Sequence, residues 1–135
     1  VCSTSSHDMS TVRGWWEEDR GLVQRFYNSI LGHQGEAPYF FEPWIAESVL
    51  VQHLYSPSMW AVFPLQDLLA IDGGLRREKP QEEQINVPAN PNHYWQYRMH
   101  MNLEDLNKET DFNQKLAHLI QVSGRGIQQL EKEMV

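Results

Sequence analysis

Apolar residues fall along this chain in more than one rhythm. Between Thr11 and Leu31 they recur as Trp16, Val23, Tyr27 and Ile30, with Leu22, Phe26 and Leu31 alongside. That spacing marks one face of a helix. Ser10 or Thr11 can cap its start, and Glu17, Glu18 and Asp19 place negative charge near the end where the helix dipole favours it. Gly32 stops the pattern, so one helix is predicted over about 11–31. The stretch 33–42 contains Gly35 and Pro38 and reads as a loop. Pro43 suits a first helical position. With Trp44, Ile45, Val49, Leu50 and Leu54 behind it and Ser56-Pro57-Ser58 after it, a second helix is predicted over 43–55. The rhythm then changes. Met59–Leu65 is almost wholly apolar, as a strand buried on both faces of a parallel sheet would be, and Trp60 is expected in the core. Val1–Ser6, made of small and β-branched residues, reads as a shorter strand.

Beyond Leu65 the chain becomes polar. Leu68–Ile71 forms a predicted helical turn ahead of Asp72-Gly73-Gly74. Leu75–Pro91 holds Pro80, Pro88 and Pro91 and reads as a long loop, a kind of segment that is usually functional or disordered. Thr110 can cap a last helix over Phe112, Leu116, Leu119 and Ile120. Ser123–Gly126 breaks it, and residues 127–135 read as a short polar tail helix. The order is strand, helix, loop, helix, strand, long loop, helices. Such alternation predicts an α/β fold with a parallel sheet and helices packed outside it.

Composition narrows the partners. The 135 residues make one domain's worth of chain. Eighteen acids against 11 bases give a net charge of −7, the wrong sign for a phosphate-binding surface or an anionic membrane face. No nucleic acid and no membrane are therefore expected as partners. The single cysteine, Cys2, allows no internal disulfide and fits a reducing compartment. The chain opens on Val1 with neither an initiator Met nor a leader, and is expected to be a piece of something longer.

In parallel α/β folds, ligands meet the carboxyl ends of the strands. Two polar pairs are expected there: His7-Asp8 after the first strand and Gln66-Asp67 after the second. Asp8 is either a helix cap or a functional carboxylate, since both roles suit an Asp at a strand end. No glycine-rich phosphate loop, zinc-ligand spacing or nucleophile elbow is present, and Ser3, Ser5, Ser6 and Ser10 beside His7 do not make a hydrolase without the elbow's glycines. Of Trp15 and Trp16, one falls on the helix stripe and belongs to the core. Tyr94, Trp95 and Tyr97 follow the polar loop and serve either packing or stacking against a flat ligand. His33, His53, His93, His100 and His118 show no ligand spacing. No metal and no organic cofactor is implied.

Several segments, taken together and in order, resemble one family. Ser6-His7-Asp8-Met9-Ser10-Thr11-Val12-Arg13-Gly14-Trp15-Trp16-Glu17 is similar to the His-Asp segment of the 4-α-glucanotransferases (amylomaltases or disproportionating enzymes, glycoside hydrolase family 77), where a Gly-Trp-Trp helix follows the strand. Pro64-Leu65-Gln66-Asp67 resembles the end of that family's last barrel strand. Asn86-Val87-Pro88 and His93–Arg98 resemble its Asn-x-Pro and Asn-Trp-x-x-Arg segments. Trp15–Asp19 and Pro57–Ala61 match best the branch typified by the plant cytosolic disproportionating enzyme.

This resemblance implies an α/β, helix-rich, C-terminal portion of a (β/α)8 barrel. Its last two βα units would lie in residues 1–72, a substrate-side loop and aromatic segment in 73–101, and C-terminal helices in 102–135. It implies transfer of α-1,4-glucan segments among maltose, maltooligosaccharides and glucan acceptors by retaining double displacement. Asp8 would be the catalytic transition-state stabiliser, and His7 and Asn86 would bind substrate. A cytoplasmic location is implied too. The family's nucleophile lies in an Arg-x-Asp-His segment and its acid/base in a Glu-Asp-Leu-Gly segment. Neither occurs in these 135 residues, so the chain alone is expected to be inactive. The alternative is a non-catalytic module that binds glucan or a protein. Two strands cannot close a barrel, and their open edges invite pairing. Self-association with a second copy, or rearranged helices over the apolar strand, is expected.

Overall fold

The computed structural model of the chain describes residues 1–93 and 95–126. The tail helix expected at 127–135 and the side chain of Tyr94 lie outside the described residues. A two-stranded parallel sheet joins β1 (Cys2–Ser3) to β2 (Ala61–Val62), with Cys2 opposite Ala61 and Ser3 opposite Val62. The described residues also form six α-helices: α1 (Val12–Glu18), α2 (Arg20–Ser29), α3 (Pro43–Leu54), α4 (Leu65–Leu69), α5 (Leu103–Leu106) and α6 (Thr110–Val122). A 3-10 turn at Pro80–Glu83 interrupts the long loop.

The single helix expected over 11–31 is two helices. Asp19 is extended, and its Oδ1 accepts from the Gly21 and Leu22 amides at 2.9 and 3.0 Å. An Asp that bonds its own downstream backbone offers the chain a new helix start in place of continuation. The two helices nevertheless bury Trp16, Val23 and Tyr27 of the expected stripe, while Ile30, at the end of α2, and Leu22 face solvent. Gly32 takes φ +73°, the left-handed conformation in which glycine ends a helix without strain. Helix α3 runs as expected from Pro43, and its Ile45, Leu50 and Leu54 complete the core with Phe41, Leu69 and Ile71.

The apolar strand departs from expectation. Only Ala61–Val62 pairs, and Met59, Trp60 and Val62 are 83, 65 and 53% exposed, so Trp60 is a surface residue. A parallel strand reads as continuously apolar when sheet and helices cover both faces; with one paired neighbour those side chains have nothing against them. Pro64 then caps α4, which begins three residues earlier than expected. Gln66 and Asp67 therefore sit in the first turn of a helix, buried at 5 and 7% exposure, and are not open polar groups on a strand end. Helix α6 starts after Glu109, with Thr110 its first residue rather than its cap.

Candidate functional site

The site grows from the carboxyl end of β1. After Ser3 the backbone runs outward, and Asp67 holds it there. One oxygen of Asp67 accepts from the Thr4 and Ser5 hydroxyls at 2.6 Å each, while the other accepts the Val12 amide at 3.1 Å. The buried carboxylate thus ties the β1 exit to the start of α1, and Thr11 caps that helix through the Gly14 amide. The turn between these two anchors presents His7 and Asp8.

The long loop returns to meet them. The Asn86 amide donates to the His7 carbonyl at 3.0 Å, and Asn86 Nδ2 donates to Asp8 Oδ1 at 2.8 Å. His7 Nε2 lies 3.2 Å from the other oxygen, Asp8 Oδ2. Asn86 is buried, whereas the His7 and Asp8 side chains are 52 and 53% exposed. The Trp95 ring leans on the His7 imidazole with centroids 4.6 Å apart, and is itself 60% exposed. So Asp8, His7 and Asn86, named from sequence, converge on one open rim, with an exposed indole beside them. Asp8 caps no helix. Gln66 and Asp67 stand behind this rim as supports, not on it. Among the described residues no three His, Cys, Asp or Glu side chains come together as metal ligands.

What sequence reasoning missed is the ion pair beneath the rim. Arg13 and Glu83 are 7 and 2% exposed, and Arg13 Nη1 meets Glu83 Oε1 at 2.9 Å. Thr11 Oγ1 donates to Glu83 Oε2 at 3.1 Å. A signal existed: Arg13 stands three residues before Trp16, on the inward face of the helix, and a cation there needs a buried partner. Burial pushes the Glu83 carboxyl above the usual carboxylate range, and the pull of Arg13 and Thr11 offsets only part of this. The folded chain therefore binds this proton more tightly than the unfolded chain. Glu83's contribution to stability is fully present below its ordinary pKa and fades as pH rises through the raised value. The stability of the natural chain relative to Glu83→Gln should thus improve as pH falls from 7 towards 4.5. Urea titrations at several pH values would show it, and a constant difference would contradict it.

The family model described as 4-alpha-glucanotransferase matches residues 1–104. The chain belongs to the 4-alpha-glucanotransferase family. It is 45% identical over 125 residues to the 4-alpha-glucanotransferase DPE2 of Oryza sativa subsp. japonica, an alignment covering 93% of this chain and 13% of that protein. It is 29% identical over 127 residues to the 4-alpha-glucanotransferase of Chlamydia trachomatis, covering 88% of this chain and 22% of that one. Among solved structures it resembles the amylomaltase from Streptococcus agalactiae in complex with acarbose, with a TM-score of 0.64 at 23% identity, over 92% of this chain and 21% of that chain. The chain therefore spans between about an eighth and a fifth of the length of these relatives. The helix-rich fold with its small parallel sheet matches a segment of that amylomaltase.

Proposed function

We propose that this chain supplies the last two βα units of a (β/α)8 barrel, and with them the Asp8 rim, to an enzyme that transfers α-1,4-glucan segments between maltose, maltooligosaccharides and larger glucans. In double displacement, an aspartate carboxylate attacks the anomeric carbon while a glutamic acid protonates the departing oxygen. The acceptor's hydroxyl then gives its proton to the same glutamate and displaces the enzyme from that carbon, with net retention. The two segments that carry those groups in the family are absent from these 135 residues. What this chain contributes is Asp8. Each carboxylate oxygen has two lone pairs; Asn86 Nδ2 takes one on Oδ1, and His7 Nε2 stands 3.2 Å from Oδ2. One remains on each oxygen for the 2- and 3-hydroxyls of the donor sugar. Those charge-assisted bonds shorten as the ring flattens towards an oxocarbenium-like state, which lowers the barrier rather than merely binding substrate. We place the enzyme in the cytoplasm, on the family relationship and the lone cysteine.

The observation that carries this proposal is the meeting of Asp8, His7 and Asn86 across 78 residues of sequence on one exposed rim. It is tested with the complete enzyme containing this sequence. Given maltose and a branched glucan, that enzyme should release glucose and lengthen the glucan, and the 135-residue chain alone should do neither. Turnover by the isolated chain, or none by the complete enzyme, contradicts the proposal.

Trp95 extends the same rim. An exposed indole beside a carboxylate and an amide offers a flat apolar face to the C–H groups of a pyranose while the polar groups take its hydroxyls. Trp95→Ala should weaken maltooligosaccharide binding about tenfold, or about 1.4 kcal/mol, and Trp95→Phe should restore most of it. Calorimetric titration decides this, and unchanged affinity in the Ala variant removes Trp95 from the site. The isolated chain, with Met59 and Trp60 bare just before β2 and Val62 bare on it, should pair with a second copy. Sedimentation showing only monomer at high concentration would count against that.

A further inference from the structure

We infer that Arg13 and Glu83 are positioning residues that set the register of the long loop, so that Asn86 meets Asp8. This rests on the proposed role of Asp8 and Asn86 in holding sugar. Arg13 lies five residues after Asp8 and Glu83 three before Asn86, so the ion pair fastens together the two strands of chain that form the rim. The grip is multiple. Arg13 Nη1 donates to the Arg77 carbonyl as well as to Glu83, and Nη2 donates to the Glu78 carbonyl at 2.9 Å. Thr11 holds the second carboxylate oxygen of Glu83, and Gln66 Nε2 holds its backbone carbonyl at 3.1 Å. Beyond this clamp only two residues separate Glu83 from Asn86, and Gln84 Nε2 bonds the Asn86 carbonyl at 2.9 Å.

An apolar contact at these positions could hold the loop, but apolar contacts tolerate sliding. A buried pair whose bonds are directional has one satisfied arrangement, and every shifted register leaves a charge or a carbonyl unmet. Buried ion pairs are seldom a source of net stability, since well-packed apolar replacements are often as stable. The geometry assigns this one to register. A shift of one residue in the loop would carry the Asn86 amide away from Asp8 Oδ1 and from the His7 carbonyl together.

The test uses the complete enzyme and the double variant Arg13→Met with Glu83→Met, which leaves no orphan charge. Its thermal midpoint should stay within a few degrees of the natural enzyme, while kcat for maltose disproportionation falls about tenfold or more. Asn86→Ala should cost a comparable factor in the natural enzyme and little further in the double variant. Where the double variant does not fold, Glu83→Gln, which keeps the shape of the side chain, should show the same non-additivity in smaller measure. Full activity in these variants, or an undiminished Asn86→Ala penalty, overturns the inference. Asp8→Asn assayed alongside separates the two ideas. Normal turnover there overturns the sugar site itself, and loss there with additive Asn86 penalties overturns only the role of Arg13 and Glu83.

Discussion

Asp8→Asn in the complete enzyme should reduce glucan transfer about a thousandfold, or about 4 kcal/mol of barrier, and leave the protein folded. The two halves of that expectation have different causes. Folding is spared because the side chain is half exposed and its structural bond survives, since the substituted amide still has an oxygen to accept from Asn86. Surface changes of this kind shift stability by roughly 0.5 kcal/mol at most. Catalysis is not spared. The variant loses the negative charge, and one of the two oxygens becomes a donor that cannot accept a sugar hydroxyl. Because those bonds strengthen as the ring flattens, the loss should appear mainly in kcat and less in KM. Steady-state kinetics with maltotriose, beside a thermal melt, measure both. Near-natural kcat in a folded variant would remove Asp8 from the chemistry and leave the rim as a binding surface only.

The features of this site differ in how far they can be read from sequence, and the reason is physical. His7-Asp8 at a strand end and the inward stripe of Trp16, Val23 and Tyr27 are local patterns, and local patterns survive into the structure. Asn86 was reachable through its family-like Asn-x-Pro segment, although only the fold brings it to Asp8. The break at Asp19 was hidden because an acid early in a helix reads as favourable to the dipole, while its capping of a new start is equally local and competes. Trp60 is exposed despite its apolar run, because such a run implies burial only if something lies against it. Arg13 and Glu83 are 70 residues apart, one in a helix stripe and the other in a polar loop. Nothing local announces their meeting, and a loop dense in charge reads as solvated until its partner is known.

Trp16→Ala should destabilise the chain by about 3–5 kcal/mol, which is a third or more of what a domain commonly has to spare. Trp16 is fully buried, with Phe41 at 5.4 Å and Phe26 and Tyr27 at 6.4 and 6.5 Å between ring centroids. Removing the indole empties a space that the surrounding rings cannot easily close, because Phe26 and Tyr27 are fixed in α2 and Phe41 is held in the loop just before α3. The lost hydrogen bond matters less. Trp16 Nε1 donates to the Pro38 carbonyl at 3.0 Å, but Arg20 Nη1 also donates there at 2.9 Å, so the carbonyl keeps a partner. Trp16→Phe should therefore cost only about 1–2 kcal/mol, mostly as volume. Denaturant unfolding of both variants separates packing from hydrogen bonding, and equal losses would mean the Pro38 bond outweighs the cavity. The consequence reaches the rim, because Thr11 caps α1 and Arg13 lies in the first turn of the helix that Trp16 docks. A loosened α1 releases Glu83, and with it the loop that brings Asn86 to Asp8.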